Sequence, residues 1–129
     1  MFVFENPNPA GQYTEDCAVR AFAIATGQDW DTVYLDLVAK GYAAKVMPNT
    51  KRIYMAYLKE KGFTRTDVPD HCPDCYTVRD FCAEHPQGTY ILATDSHVVC
   101  AISGSWYDTW DSGDEAVITV WQKGEETND

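Results

Sequence analysis

The hydrophobic period changes once along this chain, and that change limits the folds open to it. Up to about residue 85 the apolar residues recur at helical spacing; from residue 89 onward they alternate with a period of two. Val19, Phe22, Ala23 and Ile24 form the first helical stripe. Thr14 is the expected cap of a helix starting at Glu15 and Asp16, with Gly27 its stop. A second helix is predicted from Asp29 or Asp31 to Gly41 over Val33, Tyr34, Leu37 and Val38, followed by a loop over 42–48. A third starts near Asn49 or Thr50, buries Ile53, Tyr54, Tyr57 and Leu58, and ends at Gly62. Residues 64–75 carry two prolines and read as loop. A fourth, short helix fits 77–85, capped by Thr77, with Val78, Phe81 and Cys82 on one face.

The alternating part reads as four antiparallel strands, 89–94, 97–102, 105–108 and 116–121, with Ser103-Gly104 a two-residue turn between the middle pair. Helices followed by strands give an α+β fold, N-terminal helices packed on a small C-terminal antiparallel sheet. The 129 residues suit a single domain over 1–129. Residues 1–13 read as an extended lead-in and 124–129 as a frayed acidic tail.

A net charge of −10 argues against nucleic acid and against an anionic membrane as partners. No run of eighteen apolar residues is present, and the first residues lack a basic stretch followed by an apolar one, so a cytoplasmic location is expected. Five cysteines in such a chain favour free thiols or a metal site over a disulfide framework.

Three residues make the most specific chemical claim. Cys17, in QYTEDCAVRA (12–21), stands where a loop meets a helix. His97 opens the strand HVVCAI (97–102), and Asp108 lies in YDTW (107–110) across the turn. With a two-residue turn at 103–104, opposed residues sum to 207. His97 then faces Trp110 and Asp108 faces Val99, which puts His97 and Asp108 on one side of the sheet as diagonal neighbours about 7–8 Å apart. A thiol at a helix N-terminus beside an imidazolium favours the thiolate; His97 can hold that pair and protonate a leaving group, and Asp108 can orient the ring. An oxyanion would be met by the Cys17 backbone N–H and a side-chain amide such as Gln12. Cys100, alternating with Val98 and Ile102, reads as a core thiol.

A rival site is the segment HCPDC (71–75) followed by Cys82 and His85, a C-x2-C-x6-C-x2-H spacing that suits tetrahedral zinc. Cys82 on an apolar helix face and Pro86 after His85 count against it, and no metal is assigned. A Cys72–Cys75 disulfide is disfavoured by a reducing cytosol. The acidic run 108–115 lacks the spacing of a calcium-binding EF-hand loop.

With Gln12, Asp16-Cys17 opening a helix, His97-Val98-Val99 opening a strand, and Asp108-Thr109-Trp110 after a hairpin, the chain resembles the papain-like cysteine peptidases. It is similar to a minimal bacterial or phage form, with some likeness to the bacteriocin-leader peptidases. The resemblance implies a papain-like fold, no cofactor, catalytic Cys17, His97 and Asp108, Gln12 at the oxyanion, and Trp110 shielding the His–Asp bond. It also implies cleavage or transfer at an acyl bond of a peptide or protein substrate. Glu15-Asp16-Cys17-Ala18 stands where larger relatives carry Gly-Ser-Cys-Trp, which leaves the bond open between peptide, isopeptide and other amides. The alternative class is a non-catalytic peptide-binding module on the same scaffold, with or without a zinc staple.

Overall fold

The computed structural model describes residues 1–124; the rest of the acidic tail lies outside the described residues. In chain order the elements are β1 (Phe2–Phe4), α1 (Cys17–Thr26), α2 (Trp30–Ala44), α3 (Lys51–Glu60), β2 (Phe63–Asp67), α4 (Val78–Glu84), β3 (Thr89–Ala93), β4 (Val98–Ile102), β5 (Ser105–Asp108) and β6 (Thr119–Lys123). The strands form one six-stranded sheet in the order β1-β5-β4-β3-β6-β2. Every pairing is antiparallel except β1 with β5, so the sheet is mixed.

The period-two alternation sorts side chains to two cores. Ile91, Cys100 and Trp121 pack with α1, α2 and α3 around Phe22, Val33, Leu37, Tyr57 and Leu58. Their strand neighbours Leu92, Val99, Ala101 and Val120 face the other way, onto Val78, Phe81 and Cys82 of α4. The result is three layers: three helices, the sheet, and one helix. No helix among the described residues is long and apolar enough to cross a membrane.

The α+β class holds, while the sheet is larger than expected and not wholly C-terminal. Phe2–Phe4, within the segment read as a lead-in, pairs parallel with β5, setting Phe4 opposite Asp108. Residues 63–67, mostly read as loop, form an edge strand on β6. Thr64 to Asp67 are all exposed there, so the strand shows no apolar alternation to find. The last strand starts at Thr119, not Ala116, because Ala116 bridges to Thr77 at the head of α4.

Helix boundaries shift for identifiable reasons. α1 begins at Cys17 with Asp16 at the N-cap position, two residues later than Thr14 would set it. α2 runs through Gly41 to Ala44. The Val46 carbonyl would lie 2.8 Å from a Cβ on residue 41, so this glycine admits the following loop against the helix instead of stopping it. α4 starts from a reciprocal cap, with the Thr77 hydroxyl on the Asp80 N–H and the Asp80 carboxylate on the Thr77 N–H. Between β4 and β5, Ser103 (φ 51°) and Gly104 (φ 80°) both take left-handed conformations, as a tight two-residue hairpin turn requires. Ile102 therefore pairs with Ser105, Ala101 with Trp106 and Cys100 with Tyr107, the register expected from the turn.

Candidate active site

Cys17 is the first residue of α1, His97 immediately precedes β4, and Asp108 is the last residue of β5. All three meet at one rim of the sheet. His97 Nε2 donates to Asp108 Oδ2 at 2.6 Å, which leaves Nδ1 for the thiol. The Cys17 side chain is hydrogen-bonded to His97 and also receives the Val98 backbone N–H. Trp110 lies over the imidazole, with ring centroids 4.7 Å apart.

The electrostatics follow from these contacts. Burial works against ionisation of Cys17, but the bonds from His97 and Val98, with the charges of His97 and Arg20, bring the thiol below its ordinary value. Burial likewise opposes charging of His97, yet Asp108 and Cys17 together push it up to about 9. Asp108 is buried too, and bonds from His97 and Ser112 outweigh that burial and hold its carboxyl below the usual range. The other free thiols move the opposite way: burial pushes Cys82 up to about 11 and Cys100 upward as well. Among the three free cysteines, only Cys17 is poised to ionise.

Both Asp108 oxygens are fully engaged. Oδ2 accepts from His97 and from Ser112 Oγ (2.8 Å); Oδ1 accepts from the Thr109 N–H (2.8 Å) and from Arg20 Nη2 (3.3 Å). Arg20, one turn beyond Cys17 on α1, also donates through Nη1 to Asp16. Asp16 accepts further bonds from Trp30 Nε1 (2.9 Å) and Asn8 Nδ2 (3.3 Å) and makes no bond to the α1 backbone amides. The first backbone bond of the helix runs from the Arg20 N–H to the Asp16 carbonyl. The N–H groups of residues 17–19 therefore have no partner among the described residues, and that end of α1 is open to an anion.

A cavity of about 1190 Å³ opens at this point. Its accessible apolar side is formed by Tyr54, Met55, Val98 and Trp110, with buried core residues behind them, and its rim carries Glu15, Lys51 and Asp95. Gln12 does not line it. This residue is exposed, and its backbone carbonyl accepts a bond from Asn6 Nδ2. The loop turns at Asp16 rather than at Thr14, which places Tyr13, Thr14 and Glu15 at the cleft instead.

The zinc alternative is corrected. Cys72 and Cys75 are joined in a disulfide, which removes both thiolates and also overturns the expectation against that bond. Cys82 is buried in the core. His85 has its Nδ1 on the Phe81 carbonyl and its ring stacked on Phe81 at 3.9 Å. No group of three or more metal-ligating side chains occurs among the described residues.

Arg20 and Ser112 were not singled out from the sequence, and Asp16 only as the neighbour of Cys17. The usable signal was an arginine inside the apolar stretch Ala18 to Ala25, where a charge must have a buried partner. No protein-family model, no characterised protein and no solved structure matches this chain.

Proposed function

We propose that this protein is a cysteine hydrolase of papain-like type that cleaves a peptide or other amide bond through a thioester on Cys17. The observation that carries the reading is the continuous relay from the Cys17 thiol through His97 to the buried Asp108, opening into a cleft. A nucleophile on a helix N-terminus, with its base and orienter on a facing hairpin, is also the plan of papain-like enzymes.

The Cys17 thiolate attacks the amide carbonyl carbon, and the carbonyl oxygen takes up the negative charge. The unpartnered N–H groups at the start of α1 are the nearest donors for it, in place of the Gln12 amide. The His97 imidazolium gives its Nδ1 proton to the departing nitrogen, the C–N bond breaks, and an amine leaves. Neutral His97 then takes a proton from water, whose oxygen attacks the thioester; the acid departs and the thiol is restored. Asp108 holds Nε2–H throughout, so Nδ1 is always the nitrogen that exchanges the proton. The apolar wall of the cleft suits an acyl group bearing a bulky apolar side chain. The Cys72–Cys75 bond belongs to oxidising surroundings and counts against a cytoplasmic location.

The test is the pH dependence of iodoacetamide alkylation at Cys17, resolved by peptide mass spectrometry, together with acylation by 4-nitrophenyl acetate. Rapid alkylation well below pH 7 that His97→Ala abolishes, with acetyl transfer to Cys17 alone, is the expected result. A Cys17 that titrates as an ordinary thiol and takes no acyl group would leave a non-catalytic peptide-binding groove as the better reading.

A further inference from the structure

We infer that Arg20 is a positioning residue that orients the relay beside the nucleophile by holding two carboxylates, Asp16 and Asp108, at once. This rests on the reading of Cys17, His97 and Asp108 as a catalytic relay. The Arg20 side chain is 7% exposed, and its partners Asp16 and Asp108 are 6% and 2% exposed, so all three charges are withdrawn from water. Its Nη1 is committed to Asp16 and the Thr14 carbonyl and its Nη2 to Asp108. Nε is buried with no partner among the described residues. A buried donor left unsatisfied is costly, so the side chain is held there by its two terminal nitrogens.

Three consequences follow from that geometry. First, Arg20 and the Thr109 N–H occupy Oδ1 of Asp108, which fixes the carboxylate plane and leaves Oδ2 to His97. Second, Arg20 helps keep Asp16 turned away from the amides of α1. Aspartate is among the residues best suited to close such a helix end, yet here it makes no bond to the helix backbone. The N–H groups beside Cys17 stay available as a result. Third, the guanidinium balances charge. With Cys17 as thiolate and His97 as imidazolium, the five groups sum to −1; without Arg20 they sum to −2, which disfavours a further negative charge on sulfur. Lysine could supply the charge but not the two-pronged bridge.

The experiment is the pH profile of Cys17 alkylation in Arg20→Met and Arg20→Lys, each checked for native fold by near-UV circular dichroism. In Arg20→Met the acid arm should move up, by less than the one unit or more that a charge in direct contact causes. In Arg20→Lys the arm should return toward wild type while the rate stays several-fold low. A purely structural arginine would change the amount of folded protein without moving the arm. A folded Arg20→Met with an unmoved arm overturns the inference. If Arg20→Met does not fold, Arg20→Lys alkylating at the wild-type rate overturns it. A wild-type arm near pH 9 is a different failure: it refutes the relay itself, whatever the variants do.

Discussion

Asp108→Asn is the most discriminating single change, because it keeps the shape of the side chain while removing its charge. The carboxylate accepts four hydrogen bonds from four donors. An amide offers one acceptor oxygen and two hydrogens. If that oxygen faces Arg20 and the Thr109 N–H, the NH2 group faces His97 and forces Nε2 to accept. The ring proton then sits on Nδ1, against the thiol, and His97 can no longer take a proton from it. If the oxygen faces His97, the NH2 group meets the guanidinium and a backbone N–H, two donors against donors. Either arrangement breaks the relay or the anchor.

The size of the loss can be worked from the titration positions. His97 stands at about 9 against an ordinary 6.5, an interval of roughly 3 kcal/mol in favour of the imidazolium. Without Asp108 that preference largely goes, and Cys17 drifts back toward its ordinary 9.0. A thiol at 9.0 is about 1% ionised at pH 7 and the wild-type thiol lies below that value, so alkylation at pH 7 should fall toward the rate of an ordinary thiol. Stability should fall by about 3 kcal/mol, the lower end for removing one partner of a buried ion pair, which an ordinary domain survives. Urea unfolding checks the second loss and peptide-resolved alkylation the first. A folded Asp108→Asn protein that alkylates as fast as wild type at pH 7 would refute the relay.

Activity against pH should be bell-shaped, rising as Cys17 ionises below its ordinary 9.0 and falling as His97 loses its proton near about 9; steady-state kcat/KM on an ester substrate measures it. Stability behaves differently. His97 is raised, so its contribution is complete below 6.5 and is lost as pH rises through about 9. Cys17 is lowered, so its contribution is present above 9.0 and is lost as pH falls through its folded value. The two slopes oppose each other between 6.5 and about 9, so they offset in part and wild-type stability should change less with pH there than either group alone would make it. In Cys17→Ser the offset goes, and the urea midpoint should fall with rising pH over the same range; a flat profile there would contradict the raised His97. Trp110→Ala, at a ring 44% exposed, should cost under about 1 kcal/mol in stability. It should slow alkylation several-fold by letting water reach the His97–Asp108 bond; an unchanged rate would deny Trp110 its shielding role. Ser112→Ala removes a fully buried donor to Asp108 and should cost about 1–2 kcal/mol by thermal unfolding, with a smaller kinetic effect than Asp108→Asn.

What the sequence disclosed and what it hid divide along a physical line. Elements with a regular apolar period were legible: α3, with one buried face, through Ile53, Tyr57 and Leu58, and β3 and β4, buried on both faces, through their alternation onto two cores. The β4–β5 register was legible because a two-residue turn admits one pairing, and that pairing puts His97 and Asp108 on one side of the sheet. The two edge strands were not. β1 is three residues long, and β2 leaves four of its five residues exposed, so each is held by backbone bonds to a neighbour that local composition does not announce.

The hidden part of the site is of another kind. A nucleophile, a base and an orienter are recognisable by residue type, since few side chains can fill those roles. Thr14 was the cap expected from the sequence and Asp16 only an acid in the first turn; at the N-cap position that Asp16 occupies, its residue type favours a bond to the amides beside Cys17. No such bond forms because Arg20, Trp30 and Asn8 compete for the same carboxylate, and those partners come from four, fourteen and eight residues away in the chain. Local propensity loses to a buried ion pair wherever the pair has no water to fall back on. The open helix end beside the thiol and the buried arginine one turn further on are thus one arrangement. Its trace in the sequence is an arginine where the apolar stripe of α1 would place an alanine or a leucine.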